Sequence, residues 1–214
     1  MKPSKIPKEI NAVYEALYQE VCLVHEKWGI FCHLYEEKET VHLLNSSAPG
    51  FFRICQDALV NEVLLAITRI TEPKQIGRKH NLSLEQLLSS IDERKYSVLR
   101  SRAERLLKKA ETNSAFAKDV RNRRIAHSDF QTKLELGAEP LAKVTRKRIE
   151  GALEAICNLM NEVHEYFEDS SVAYETILLN DEGPMLLARL REAKIYRAQL
   201  REFQASLLKT KPSV

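Results

Sequence analysis

The chain has 214 residues, of which 44% are hydrophobic and 29% charged, and its 33 Lys+Arg against 30 Asp+Glu leave a net charge of +3. Only 6 Gly and 7 Pro occur, which excludes a fibrous or low-complexity chain. No apolar run reaches the roughly 18 residues of a membrane span, and the charged start Met1-Lys2-Pro3-Ser4-Lys5 is followed by no apolar signal core, so the expected setting is the cytoplasm, with no membrane partner. Cys22, Cys32, Cys55 and Cys157 form no CxxC pair and are expected as buried free thiols. No metal site and no cofactor is expected.

In chain order, Ile10, Val13, Leu17, Val21, Val24 and Trp28 step by three or four and predict a helix from about Lys8 to Ile30, extendable to Tyr35. A break is expected over Asn45–Gly50, with Pro49 opening the next helix where its missing N–H costs nothing. From Phe51 to Ile70 the residues Ile54, Ala58, Leu59, Val63, Ala66, Ile67 and Ile70 predict a deeply buried helix. It stops before Pro73 because a residue preceding proline avoids helical dihedrals. A polar loop then leads to Ser83, which with Gln86 forms a capping-box pattern for a short helix through about Ile91.

Tyr96 to Ala126 reads as helix, with Leu99, Ala103, Leu106 and Ala110 on one face and a break or cap expected at Thr112-Asn113-Ser114. Ser128 to Pro140 reads as a loop, in which Lys133-Leu134-Glu135-Leu136 is the one strand-like piece. Ile149, Leu153, Ile156, Met160, Val163 and Phe167 predict a further amphipathic helix. After turn signals at Leu178–Pro184, the residues Leu186, Leu190, Ala193, Leu200, Phe203 and Leu207 predict a last one. The expected fold is all-α: an antiparallel helical bundle over residues 8–170 with a C-terminal helical extension over 171–214.

The charge is unevenly distributed. Residues 94–148 carry 16 basic and 6 acidic groups, a local +10, while the flanking segments are mildly acidic at −3 and −4. Charge alone describes a solvated helix face. Within this block, however, stands Asp119-Val120-Arg121-Asn122-Arg123-Arg124-Ile125-Ala126-His127-Ser128-Asp129. Histidine exchanges protons near neutral pH, and arginine offers a permanent charge with a planar donor fork suited to phosphate. Metal-free RNA cleavage needs both, a base for the ribose 2′-hydroxyl and a cation for the charge growing on phosphorus. On a straight helix Arg123 and Arg124 share the face of His127, whereas Arg121 points elsewhere. A chain break or a second, symmetry-related chain would bring it back. His25, His33, His42, His80 and His164 show no ligand spacing. The basic face of the last helix (Arg189, Arg191, Lys194, Arg197, Arg201) fits RNA contact, dimer packing and solvation equally.

Arg121-Asn122 with His127 five residues after Asn122 resembles the signature of the HEPN superfamily. The fuller string, together with His42–Phe52 and Ile67-Thr68-Arg69-Ile70-Thr71-Glu72, is similar to its abortive-infection AbiU-type branch over roughly residues 10–170. The resemblance implies a helical bundle that pairs so that two signatures face one cleft, and a metal-independent endoribonuclease of a toxin or phage-defence system. By that likeness His127 is the general base or acid, Arg121 holds the scissile phosphate, Asn122 positions the histidine or the phosphate, and Arg124 has an accessory phosphate role. Arg123 is an accessory RNA contact or a solvated charge. Expected partners are RNA, a second copy, and an antitoxin or nucleotidyltransferase protein. The alternative is a non-catalytic RNA- or nucleotide-binding or protein-interaction module of the same fold. Where the resemblance leads one to expect an aspartate near the end of the Arg69 helix, this chain has Glu72, read as a structural partner of Arg69.

Overall fold

The computed structural model describes residues 4–125, 142–176 and 181–209, with side chains through 206. The described residues form α1 (Lys8–Tyr35), α2 (Lys38–Ser47), α3 (Pro49–Ile70), a hairpin of β1 (Gln75–Ile76) and β2 (Lys79–His80), α4 (Leu84–Ser90), α5 (Ser97–Val120), a π turn (Arg121–Ile125), α6 (Arg146–Glu168), a 3-10 turn (Tyr174–Thr176) and α7 (Glu182–Lys209). The fold is an all-α bundle, as the periodicity predicts. Packing groups residues 1–28 with 59–178, and 29–58 with 179–214. This partition differs from a cut at residue 170 because α7 packs on α2.

The first unit is built on α5 and α6. Their order along the interface is read from cross-contacts. Tyr96 meets Tyr166 and Phe167 edge-on, Arg102 Nη1 lies 3.4 Å from Glu162, Asn113 Nδ2 donates to the Gly151 carbonyl at 3.0 Å, and Arg148 covers the Phe116 ring. Rising numbers on one helix meet falling numbers on the other, so the pair is antiparallel. The α1 helix runs antiparallel to α6 in the same way, through Ser4 with Glu168, Tyr14 with His164 and His25 with Cys157. Ile10, Leu17, Val21, Ile67, Leu99, Ala103, Leu153, Ile156 and Leu159 fill the core between them and are at most 2% exposed.

Local chemistry explains the ends. Ser83 caps α4 by accepting from the Gln86 amide, as the sequence pattern predicts. Thr145 caps α6 by accepting from Arg148 N, and Asp169 closes it in the left-handed region at φ 57. Asn161 then clamps the returning chain, donating to Val172 O at 3.0 Å and accepting from Val172 N at 2.9 Å. The hairpin lies where only a polar loop is expected. Gly77, at φ 61, takes the first central position of its two-residue turn, the position that type II′ reserves for glycine. The expected break at Thr112-Asn113-Ser114 is absent, since Thr112 Oγ1 donates to its own helix at Lys108 O and the spiral continues.

The second unit has a small core of Leu34, Leu43, Leu44, Phe52 and Leu187. Gly183 lies so close to His33 that a Cβ there would sit 2.7 Å from the histidine Cβ, so glycine alone fits. Two expectations are corrected here. Ile54, expected in a buried helix, is 66% exposed, and in the last helix Phe203 of the expected stripe is 60% exposed, while Leu187, outside that stripe, is buried. In this unit α2, at Lys38–Ser47 where no helix is expected, supplies the packing face through Leu43 and Leu44; Val63, Ala66, Ile67 and Ile70 of the α3 stripe are buried as expected, while Ile54, Leu200 and Phe203 are left exposed. Among the cysteines only Cys22 is fully buried, and all four are free thiols.

Candidate functional site

The motif begins where α5 changes pitch. The Arg121 amide bonds both Ala117 O and Lys118 O, and from there the chain widens into the π turn Arg121–Ile125, a rare geometry associated with functional positions. Arg121 Nη2 donates to Glu72 Oε1 in a short ion pair, with side-chain exposures of 26% and 15%. Glu72 is delivered by the turn behind α3. Thr71 ends that helix by donating its hydroxyl to Ile67 O at 2.8 Å, and Pro73 prevents its continuation. The expected Arg69–Glu72 pair is therefore corrected. Arg69 reaches back seven residues, two turns of its helix, to Glu62, 3.2 Å away, which also takes Lys27 at 2.9 Å. The Lys27 hydrogen bond, reinforced by the Arg69 charge, holds the Glu62 carboxyl below the usual carboxylate range.

Asn122 and Arg124 are exposed, and Arg123 is half-buried with Nη1 3.5 Å from Asp119 Oδ1. The other oxygen of Asp119 accepts the Ala142 amide at 2.9 Å, which pins the chain beside the end of α5 before α6 begins. His127, Ser128, Asp129 and the Lys133–Leu136 alternation lie outside the described residues. The structure thus brings Arg121 to Glu72 and Arg123 to Asp119, and leaves Asn122 and Arg124 open to solvent.

Because α5 and α6 are antiparallel, the end of one meets the start of the other. Lys118, Arg121, Arg123 and Arg124 share that end with Lys143, Arg146, Lys147 and Arg148, half of the basic residues of the +10 block. Several of these charges have local acidic partners, Asp119 for Arg123 and Glu150 for Arg146. Sequence reading missed Glu72 as the partner of Arg121. The available signal was an acid at a helix break directly before proline, but nothing local names an arginine 49 positions on.

A second polar cluster lies along α1 and α6. Tyr14 bonds Tyr174 at 3.1 Å and His164 Nδ1 at 3.2 Å, while His25 Nε2 sits 3.1 Å from Cys157 Sγ. A His–Cys pair invites a nucleophilic reading. Burial argues against it, pushing the Cys157 thiol up to about 12 and His25 below its ordinary value, so both stay neutral. Burial likewise raises Tyr14 to about 12. Among the described residues, no group of three or more His, Cys, Asp or Glu could hold a metal ion, and no helix is long and apolar enough to cross a membrane.

An all-α bundle with a basic motif on a helix-end turn, and an acid from the turn behind another helix holding its first arginine, defines the class of scaffold. The sequence matches the family model AbiU2, of HEPN type, over residues 7–183, and the chain belongs to that family. No curated protein and no solved structure matches it.

Proposed function

We propose that this chain is a metal-independent endoribonuclease of a toxin or phage-defence system, acting in the cytoplasm as a dimer whose two motifs share a cleft. His127 takes the proton of a ribose 2′-hydroxyl. The 2′-oxygen attacks the adjacent phosphorus, the bond to the 5′-oxygen breaks, and a proton goes to that leaving oxygen. The products are a 2′,3′-cyclic phosphate and a 5′-hydroxyl. Arg121 stabilises the charge on the phosphoryl oxygens, Asn122 positions the histidine or the phosphate, and Arg124 and Arg123 add phosphate contacts. A guarding antitoxin or nucleotidyltransferase is the partner protein in this reading.

The observation that carries the proposal is the Arg121–Glu72 pair. It fixes the motif's arginine at the head of the π turn, inside the basic end of the α5–α6 pair, in a member of the AbiU2 family. The same pair supports a second reading, because Glu72 offsets the charge of Arg121. A module that holds RNA or a protein without cutting would tolerate that. RNA cleavage in EDTA by the wild type, His127→Ala and Arg121→Ala decides between them. The nuclease reading expects cyclic-phosphate ends from the wild type and losses of about 10²-fold or more in each variant. Equal activity in all three, or none in the wild type, removes it.

A further inference from the structure

Beside the motif's end of the bundle, α5 and α6 enclose a groove of about 560 Å³ that the cleavage chemistry does not use. Thr112, Asn113 and Phe116 form its α5 wall, and Thr145, Lys147 and Arg148 its α6 wall. Lys147 and Arg148 are exposed. The Arg148 guanidinium lies 5.8 Å from the centroid of the buried Phe116 ring and also donates to Lys143 O at 3.0 Å. Arg148 is exposed and lines the groove, so its planar cation is open to a nucleobase stacking on it. Lys147 is a mobile point charge suited to a phosphate. Thr112 and Asn113 add short polar side chains that discriminate little between bases.

We propose that this groove binds one nucleotide of single-stranded RNA beyond the cleaved linkage, with its base on the Arg148 face and its phosphate on Lys147. The inference rests on the nuclease reading for the identity of the ligand, and it extends that reading from a cleavage point to a track. Three observations support it together: a concavity of about 560 Å³, basic side chains at the same end of the α5–α6 pair as the Arg121–Arg124 turn, and an arginine held over an aromatic ring. Stacking tolerates any base, so the subsite gives affinity for unpaired strands and little sequence preference.

The test compares Lys147→Glu with Lys95→Glu, both in a His127→Ala background that prevents turnover. The two variants change the net charge equally. Lys95 is exposed and lies before the first turn of α5, roughly 25 Å along that helix from the groove. Glutamate in the first turn of α6 is favoured by the helix dipole, so Lys147→Glu keeps the fold, which circular dichroism checks. Binding of a fluorescein-labelled mixed-sequence oligoribonucleotide, single-stranded or annealed, is followed by anisotropy over a salt series. The expected result is several-fold weaker single-strand binding by Lys147→Glu, with a log–log salt slope shallower by about 0.7, while Lys95→Glu stays close to its parent. Equal effects of the two variants, a preference for duplex, or no binding by the parent overturns the subsite. If the wild type cleaves and the two variants bind alike, the subsite falls and the nuclease reading stands. If the binding pattern appears but the wild type never cleaves, the reverse holds.

Discussion

At the end of α5 the charges of Arg121 and Glu72 meet directly, whereas along the seam of α1 and α6 the groups able to ionise are kept from doing so. Both regions are polar, both join helices distant in sequence, and both contain residue types found in active sites. The difference lies in what burial does to each. Arg121 and Glu72 keep part of their surface in water and meet as a direct pair. The seam holds Tyr14, His25, Cys157 and Tyr174 in their neutral forms and links them by hydrogen bonds. A histidine beside a cysteine is thus no sign of chemistry where desolvation holds the thiol protonated, and an arginine already paired is no sign of inertness where its partner sets its aim.

Perturbing the charged region first gives the largest expected effect. Glu72→Gln keeps the shape but removes the charge, leaving Arg121 without its anchor. RNA cleavage should fall by about 10-fold or more while the melting temperature barely moves, since partly exposed pairs contribute only about 1 kcal/mol. A variant as active as the wild type would show that Arg121 needs no fixing. In the seam the order inverts. Tyr174→Phe should lower unfolding stability in urea by about 1 kcal/mol, the net worth of one buried hydrogen bond, without touching cleavage. The smallest effect is a slope. Because burial holds His25 below its ordinary 6.5, its contribution to stability is complete above that pH and is lost as pH falls through the folded value, where the unfolded chain takes up the proton first. Glu175 partly opposes the shift. His25→Gln should flatten the acid side of the stability profile, and an unchanged slope would assign it elsewhere.

Much of the scaffold was legible because helical periodicity reports burial. The stripe from Ile10 to Trp28 and that from Ile149 to Val163 both became core, and the Ser83 cap formed as its spacing predicts. The α2 helix was not legible, since a ten-residue helix with Thr40, Leu43 and Leu44 as its buried face is too short for a period to stand out. Ile54 and Phe203 were misjudged because a stripe states that a face is apolar without stating that anything covers it. At the site, Arg121 came from the local motif. Glu72 did not, because adjacency favoured Arg69, three positions away, while tertiary packing gave Arg69 to Glu62 and freed the acid for a helix much later in the chain.

The π turn at Arg121–Ile125 makes the motif sensitive to length as well as to composition. Bonding i to i+5 instead of i+4 amounts to one residue accommodated within an otherwise regular spiral. Deleting a single residue from it would close the wide turn and change which of Arg121, Asn122, Arg123 and Arg124 stand on each side of the helix, with the arginine types still present. In such a site, insertions and deletions re-aim chemistry that substitutions can only remove.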